Sequence, residues 1–376
     1  MSVWDALVGQ RAVAATLRAA AAGDGMTHAW LLTGPPGSGR SNAAIAFAAA
    51  LQCEDAGCGE CHSCRETLAG SHPDVTVRRT DKVVISVDDA RQWVRDAALM
   101  PVRDRWQVIV VEDSDRLHER ANNALLKAIE EPGATTVWVL CAPHAEDVLP
   151  TIRSRTRHVT LGTPTTAEVA EFLVTRHGVA PALAAHAARA SQGHIGRARA
   201  LAEDEGTRNR RREVVAMPAG LTTLGACMTA ATNLVDIATQ EAAAQTERVG
   251  AREVQDLETL YGDDRKAKSS RAYKAAAGEL ARTQKQRERR AVLDVLDRSL
   301  MDLLSVYRDV LQVQLRGRST LVNEEQRGQV EELARHTTPE DNLRRIDAVH
   351  EAREQMAEFN TPPLLAMEAM MIALRT

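Results

Sequence analysis

The stretch from His28 to Ser41, His-Ala-Trp-Leu-Leu-Thr-Gly-Pro-Pro-Gly-Ser-Gly-Arg-Ser, constrains the fold of this chain more than any other. Ala29 to Thr33 reads as a short buried strand, and Asn42 to Leu51 is an Ala-rich helical stretch. Between them, Gly34, Gly37 and Gly39 let backbone N–H groups close around an anion at a helix N-terminus, and the Ser41 hydroxyl is placed to ligate a phosphate-bound Mg²⁺. This is the layout of a phosphate-binding loop, with one departure. The pattern G-x-x-x-x-G-K-[ST] asks for Lys where Arg40 stands, a wide planar fork in place of a compact ammonium. A P-loop fold is therefore expected, while ATP and Mg²⁺ binding stays open and hydrolysis is disfavoured.

At 376 residues the chain is too long for one ordinary core. A net charge of −4 excludes a protein that is basic all over, and 3% aromatic residues leave few rings for stacking bases, which argues against an autonomous single-strand groove. No apolar run approaches a membrane span and no signal-peptide pattern precedes Trp4, so the expectation is a cytoplasmic protein with no membrane partner.

Along the chain, an amphipathic helix is expected from Val3 to Ala22, with Leu7-Val8-Gly9-Gln10 just ahead of its apolar face at Val13, Leu17 and Ala20. After the P-loop helix, Cys53, Cys58, Cys61 and Cys64 put four thiols into twelve residues, a density that suits a tetrahedral structural Zn²⁺. A ferredoxin-type cluster would need a Cys where Leu68 stands; free or redox-active thiols are the other alternative. Cys53 is the least secure ligand, with His62 or His72 as its substitutes.

Val75 to Val77 and Val83 to Ile85 read as strands and Val87 to Leu99 as a helix. Val108 to Val111 is an apolar strand delivering Glu112 and Asp113 at its C-terminal end, where an α/β nucleotide site holds Mg²⁺ and water. Asn122 to Pro132 is a helix stopped by Pro, Val137 to Cys141 a buried strand, and Ser154-Arg155-Thr156-Arg157 precedes a short strand at His158 to Leu161. Strand and helix alternate up to residue 162, which implies a doubly wound parallel sheet. Residues 163–205 read as a small helical domain containing Gly193-His-Ile-Gly-Arg197, and 206–376 as an all-α domain with bundle-like spacing at Val292 to Leu315 and Pro363 to Leu374. An insertion around 247–291 interrupts it. Within this, Arg265 to Arg290 carries ten Lys or Arg against Glu279 and Glu288; a solvated helix is the default reading of such a run and contact with a DNA backbone the alternative.

Taken together, Val8-Gly9-Gln10, the P-loop, the four cysteines, Val108 to Asp113, Asn123-Ala-Leu-Leu-Lys-Ala-Ile-Glu-Glu-Pro132, Ser154-Arg155-Thr156 and Gly196-Arg197 stand in an order that resembles the bacterial DNA polymerase III clamp-loader subunits of the AAA+ class, most closely the delta-prime members. The resemblance implies a AAA+ domain with an inserted zinc module, a helical lid carrying the nucleotide-facing Arg197, and a helical collar for oligomerisation. It also implies a five-subunit ring with tau/gamma-type motor subunits and delta, which opens a sliding clamp and loads it on primed DNA at the nucleoid. Arg40, the inverted Glu112-Asp113 pair and Cys141-Ala142 in the sensor loop depart from the motor subunits, whose chemistry depends on positioning. Ser154-Arg155 is intact, which implies a trans-acting arginine finger for a neighbour's ATP. Thr156 replaces the family's usual Cys, and the spacing after Cys53 is shorter than the family commonly has. The rival readings are an ATP-hydrolysing motor subunit, a stand-alone P-loop DNA-dependent ATPase, and a purely structural zinc-bearing scaffold.

Overall fold

The computed structural model describes residues 2–80, 84–103, 105–261, 270–359 and 361–375. The chain divides into two compact units, Met1–Glu203 and Asp204–Thr376.

The first unit is built on β1 (Ala29–Thr33), β2 (Val75–Arg78), β3 (Gln107–Val111), β4 (Thr136–Ala142) and β5 (Arg157–Thr160), all parallel in the order β2-β3-β4-β1-β5. Apolar residues on both faces of β1, β3 and β4 explain the doubly wound form. Trp30, Leu32, Val108, Val110, Val137 and Val139 pack on one side with α1 (Arg11–Ala21), α2 (Arg40–Leu51) and α3 (His62–Ala69). Their alternate neighbours Leu31, Ile109, Val111, Trp138 and Leu140 pack on the other with α4 (Val87–Ala97), α5 (Glu119–Glu130) and α6 (Pro150–Arg153). A sheet buried on both faces needs such continuous apolar strands.

Two expectations are revised. The helix expected from Val3 to Ala22 is a 3₁₀ turn at Val3–Ala6, then a break, then α1. Gly9 causes the break: its φ is +69°, and a Cβ there would lie 2.9 Å from Glu168 Oε2 and 3.2 Å from Pro164. Next to it, the Gln10 side chain donates to Gly162 O at 2.6 Å and accepts from Gly162 N at 3.2 Å, tying the helix entry to the segment that follows β5. The strand expected at Val83 to Ile85 falls partly outside the described residues, and Ile85 makes only an isolated bridge to Leu117. The helical segment expected at 163–205 lies, through Glu203, within the first unit. It folds as α7 (Thr166–His177), α8 (Pro181–Ser191) and α9 (Ile195–Glu203) around Val169, Leu173, Ala187 and Ala198, and Val8 joins this small core.

The second unit is helical: α10 (Glu205–Ala216), α11 (Leu224–Tyr261), α12 (Arg271–Gln314), α13 (Arg327–His336), α14 (Pro339–Ala357) and α15 (Pro363–Ala373). Its core gathers Leu300, Leu303, Tyr307 and Val310 of α12 with Val349 and the methionines 367, 370 and 371. Inside it, Arg211 Nε lies 3.0 Å from Asp302 Oδ1, with side chains 8% and 6% exposed. Asp309 nearby accepts from Val322 N, Asn323 N and Asn323 Nδ2 at 3.0, 2.7 and 2.9 Å.

Candidate functional site

Because β4 lies between β1 and β3, the loops that leave the C-terminal ends of these three strands converge. Such an edge is where open α/β sheets bind ligands. Gly34, Gly37 and Gly39 hold φ of +153°, +82° and +94°, conformations open to glycine, and Gly39 is the N-cap of α2 without any side-chain cap. Gly34 N donates to Pro143 O at 3.0 Å, which fixes the start of the loop against the end of β4.

Around this cradle the chain leaves buried polar atoms unsatisfied. Ser38 Oγ, Arg40 Nη1, Glu112 Oε1 and Asp115 Oδ1 are buried and, among the described residues, have no hydrogen-bond partner. Buried polar atoms are rarely left this way, and a group of them in one place is a demand for a polar ligand or water. Burial, with the Asp113 charge beside it, raises the Asp115 carboxyl above its ordinary value against the opposing pull of its own backbone N–H and then of Arg116 and Arg40. Cys141, at the end of β4, is held as a thiol by burial first and then by Glu112 and Asp113, so its pKa is pushed up to about 12. Asp115 carries no motif of its own and was missed in the sequence; its signal is position, two residues beyond a strand-end acid.

Three further features shape the loop and the acids beside it. Glu112, the acid nearest the strand end, is paired with Arg79 at 2.8 Å, which opposes its use as a water-orienting base. Asp113 has a left-handed backbone, φ +53°, and caps a 3₁₀ turn whose Arg116 lies 4.0 Å away. His194 covers the loop so closely that a Cβ on Gly37 would lie 2.2 Å from its ring, while Ile195 N donates to Gly37 O at 3.4 Å. Ser41 sits in the first turn of α2, half-buried. Arg197, half-buried in α9, donates its backbone N–H to His194 Nδ1 at 3.2 Å.

Arg155 follows α6 and is 40% exposed. Its Nε lies 2.6 Å from Glu130 Oε1, and its Nη1 donates to Thr151 O at 2.7 Å and Ser154 Oγ at 3.3 Å. The sequence signal for Glu130 was the Glu-Glu-Pro end of α5, which did not reveal the pairing.

The four cysteines meet in a second place. The Sγ atoms of Cys53, Cys58, Cys61 and Cys64 all lie within 4.8 Å of one another, with Cys53 3.6 Å from Cys58 and 3.8 Å from Cys61. Zn–S bonds of about 2.3 Å in a tetrahedron require sulfurs about 3.8 Å apart. Backbone N–H groups of residues 58, 61 and 64 point at sulfur, donating to Cys53, Cys58 and Cys61 at 3.4, 3.3 and 3.4 Å. The cluster could hold a metal ion, and four protein ligands leave no open coordination position. Burial opposes ionisation of Cys53, yet the N–H groups of Cys58, Gly57 and Asp55 outweigh it and lower its pKa to about 7; burial raises Cys61 and Cys64. Neither histidine alternative is in the cluster: His62 pairs with Glu66 at 3.0 Å, and His72 Nδ1 accepts from Asp74 N at 3.1 Å.

Residues 9–165 match the family model described as DNA polymerase III, delta subunit. The chain is 37% identical over 134 residues to the DNA polymerase III subunit delta' of Pseudomonas aeruginosa, covering 34% of this chain and 41% of that protein. To the gamma/tau subunit of Mycobacterium tuberculosis H37Rv it is 34% identical over 157 residues, covering 40% of this chain and 27% of that protein. It thus spans less than half the length of either relative. Among solved structures, a gamma subunit-related protein of Thermotoga maritima aligns at TM-score 0.38 and 15% identity, covering 77% of this chain and 98% of that chain. The Bacillus subtilis clamp loader delta protein aligns at TM-score 0.32 and 12% identity, covering 96% and 99%. The family-model match spans the P-loop, the cysteines and Arg155, and the chain is similar to delta-prime subunits of DNA polymerase III.

Proposed function

We propose that this protein is a delta-prime-type subunit of a DNA polymerase III clamp loader, completing a five-subunit AAA+ ring with tau/gamma-type and delta subunits that loads a sliding clamp on primed DNA. In this reading its own nucleotide site is weak and its Arg155 serves the site of a neighbouring motor subunit. The observation that carries the reading is the contrast between two side chains. Glu112 is held by Arg79 inside the chain's own site, whereas Arg155 stands exposed at the end of α6 on a single carboxylate partner. An ion pair between groups this exposed is worth about 0–1 kcal/mol, so a neighbour's γ-phosphate can take the guanidinium from Glu130 at little cost. There it would offset charge on the phosphoryl oxygens, an effect of about 10³ to 10⁵ in rate.

Should ATP bind here, Gly34, Gly37 and Gly39 would cradle its phosphates, Arg40 and Arg197 would face them, and Ser41 with Glu112 and Asp113 would surround the Mg²⁺. A bound nucleotide would supply charge to satisfy the unpaired Arg40 Nη1. We assign a structural Zn²⁺ to Cys53, Cys58, Cys61 and Cys64. The test is steady-state ATPase of the chain alone and reconstituted with motor and delta subunits. The chain alone should turn over well below about 1 s⁻¹, with or without Arg40→Lys. In the complex, Arg155→Ala should leave assembly intact and lower turnover by about a third if three sites fire independently, and further if they are coupled. Wild-type turnover and clamp loading by an intact Arg155→Ala complex would refute the assignment, and robust hydrolysis by the chain alone would favour a motor subunit.

A further inference from the structure

The two longest helices outrun the core they belong to. On α11 the buried residues end at Ala242, and on α12 none precedes Val295 among the described residues. The intervening lengths pair with each other as an antiparallel arm. Where the described lengths end, the rings of Tyr261 and Tyr273 meet edge to face, 6.1 Å between centroids. Further down, Gln284 Nε2 donates to Gly250 O at 3.1 Å, and Arg287 grips Glu253 through two bonds of 2.8 and 3.0 Å. Arg298 Nη2 to Glu241 Oε1, 3.1 Å, closes the base. These contacts place Arg287 and Gln284 on the seam and fix which side of α12 faces outward.

On that outward side the basic residues fall into line. At about 100° per residue, Arg271, Lys274, Arg282, Lys285 and Arg289 share an arc of about 80°, roughly opposite Arg287. All five are exposed. Gly278 occupies the same arc, so the row steps by three or four residues, about 4.5 to 6 Å each, over about 27 Å of helix. On this length of α12 the charge is one-sided: Arg271 to Arg290 holds seven Lys or Arg against Glu279 and Glu288. Glu279 reaches Arg282 at 3.7 Å, but with both side chains more than 70% exposed this pair holds the guanidinium only loosely. Arg265, Lys266 and Lys268 of the basic run lie outside the described residues and form no part of the argument.

We propose that this row of cations on α12 is a docking strip for the phosphate backbone of duplex DNA, bound without reading its bases. The neighbours of the row favour this partner over an acidic protein. Ala275, Gly278 and Ala281 stand in or beside it, exposed and too small to serve as the buried anchors on which protein interfaces rest. They also let the helix come close to a phosphate ridge. The rings of Tyr261 and Tyr273 are turned to each other and are not interleaved with the cations, so single-strand stacking is not provided for. The strip needs neither nucleotide at the P-loop nor ring assembly, so its failure and that of the proposed function are separately visible.

The test is fluorescence anisotropy of the full chain with a labelled 30-base-pair duplex between 50 and 200 mM salt. Five phosphate contacts predict a log–log salt slope of about −4.5, a loss of affinity of about 500-fold across that range. Lys274→Gln with Lys285→Gln should weaken binding to unrelated sequences alike and reduce the slope to about −2.7, a loss of about 40-fold. Arg91→Gln with Arg95→Gln, an equal change of charge on α4, should behave as wild type. Far-UV circular dichroism checks that the variants keep their helices, and the wild-type slope is decisive by itself. A wild-type slope shallower than about −2, unchanged binding by the α12 variant, or capture by polyglutamate without any binding of duplex would each overturn the proposal.

Discussion

Replacing Cys61 by Ser should remove the metal and loosen one corner of the first unit by a calculable amount. The four sulfurs lie within 4.8 Å, and a metal joining them cross-links the chain from residue 53 to residue 64. Treated as a cross-link that closes a 12-residue loop, the chain-entropy relation gives about 3 kcal/mol. The loop also holds the N-terminus: Val3 N and Ser2 Oγ donate to Gly57 O at 3.1 and 2.9 Å, and Trp4 Nε1 donates to Ala56 O at 2.9 Å. Releasing the loop therefore exposes Val3 and Trp4, now buried, and the loss should be no smaller than the cross-link alone. For a unit of this size about 3 kcal/mol corresponds to a drop of about 6 to 12 °C in Tm. Differential scanning calorimetry with metal analysis is the assay. Freshly purified protein should contain one zinc per chain, and a strong chelator should lower the Tm of the first unit and red-shift Trp fluorescence. Cys53→Ser should match Cys61→Ser, while His62→Ala should leave metal content unchanged. Iron in place of zinc, no metal at all, or a Tm indifferent to chelator would refute the reasoning.

Gly37→Ala should destabilise the first unit by about 1–3 kcal/mol, because a Cβ at φ +82° would be strained and pressed into His194. His194→Ala should recover only part of this, since the strain at 37 persists, and full recovery in a double-mutant cycle by urea unfolding would contradict that account. Asp302→Ala should cost the second unit about 3–5 kcal/mol by leaving Arg211 charged and buried without its carboxylate. A loss under about 1 kcal/mol would mean that the pair is solvated in the folded protein.

The parts of this protein that were legible in the sequence are those written in local pattern. Apolar strands ending in a Gly-rich turn or an acid pair are read from neighbouring residues, because a strand buried on both faces must be apolar throughout and a phosphate cradle must be glycine. The same holds for four cysteines in twelve residues, whose short loop left them little choice but to meet. The order β2-β3-β4-β1-β5, the pairing of Arg79 with Glu112 and of Arg155 with Glu130, and the approach of His194 to Gly37 join residues far apart in the chain. No local pattern encodes them, since each depends on which elements packing brings together. The basic run shows the division most clearly. Its charge was plain in the sequence, but a run of charges on a helix is only a composition until the helix has a buried side. The antiparallel pairing of α11 with α12 turned Arg287 inward against Glu253 and left Arg271, Lys274, Arg282, Lys285 and Arg289 on one outward face. Composition supplied the charge, and the helix phase set by that seam decided its direction.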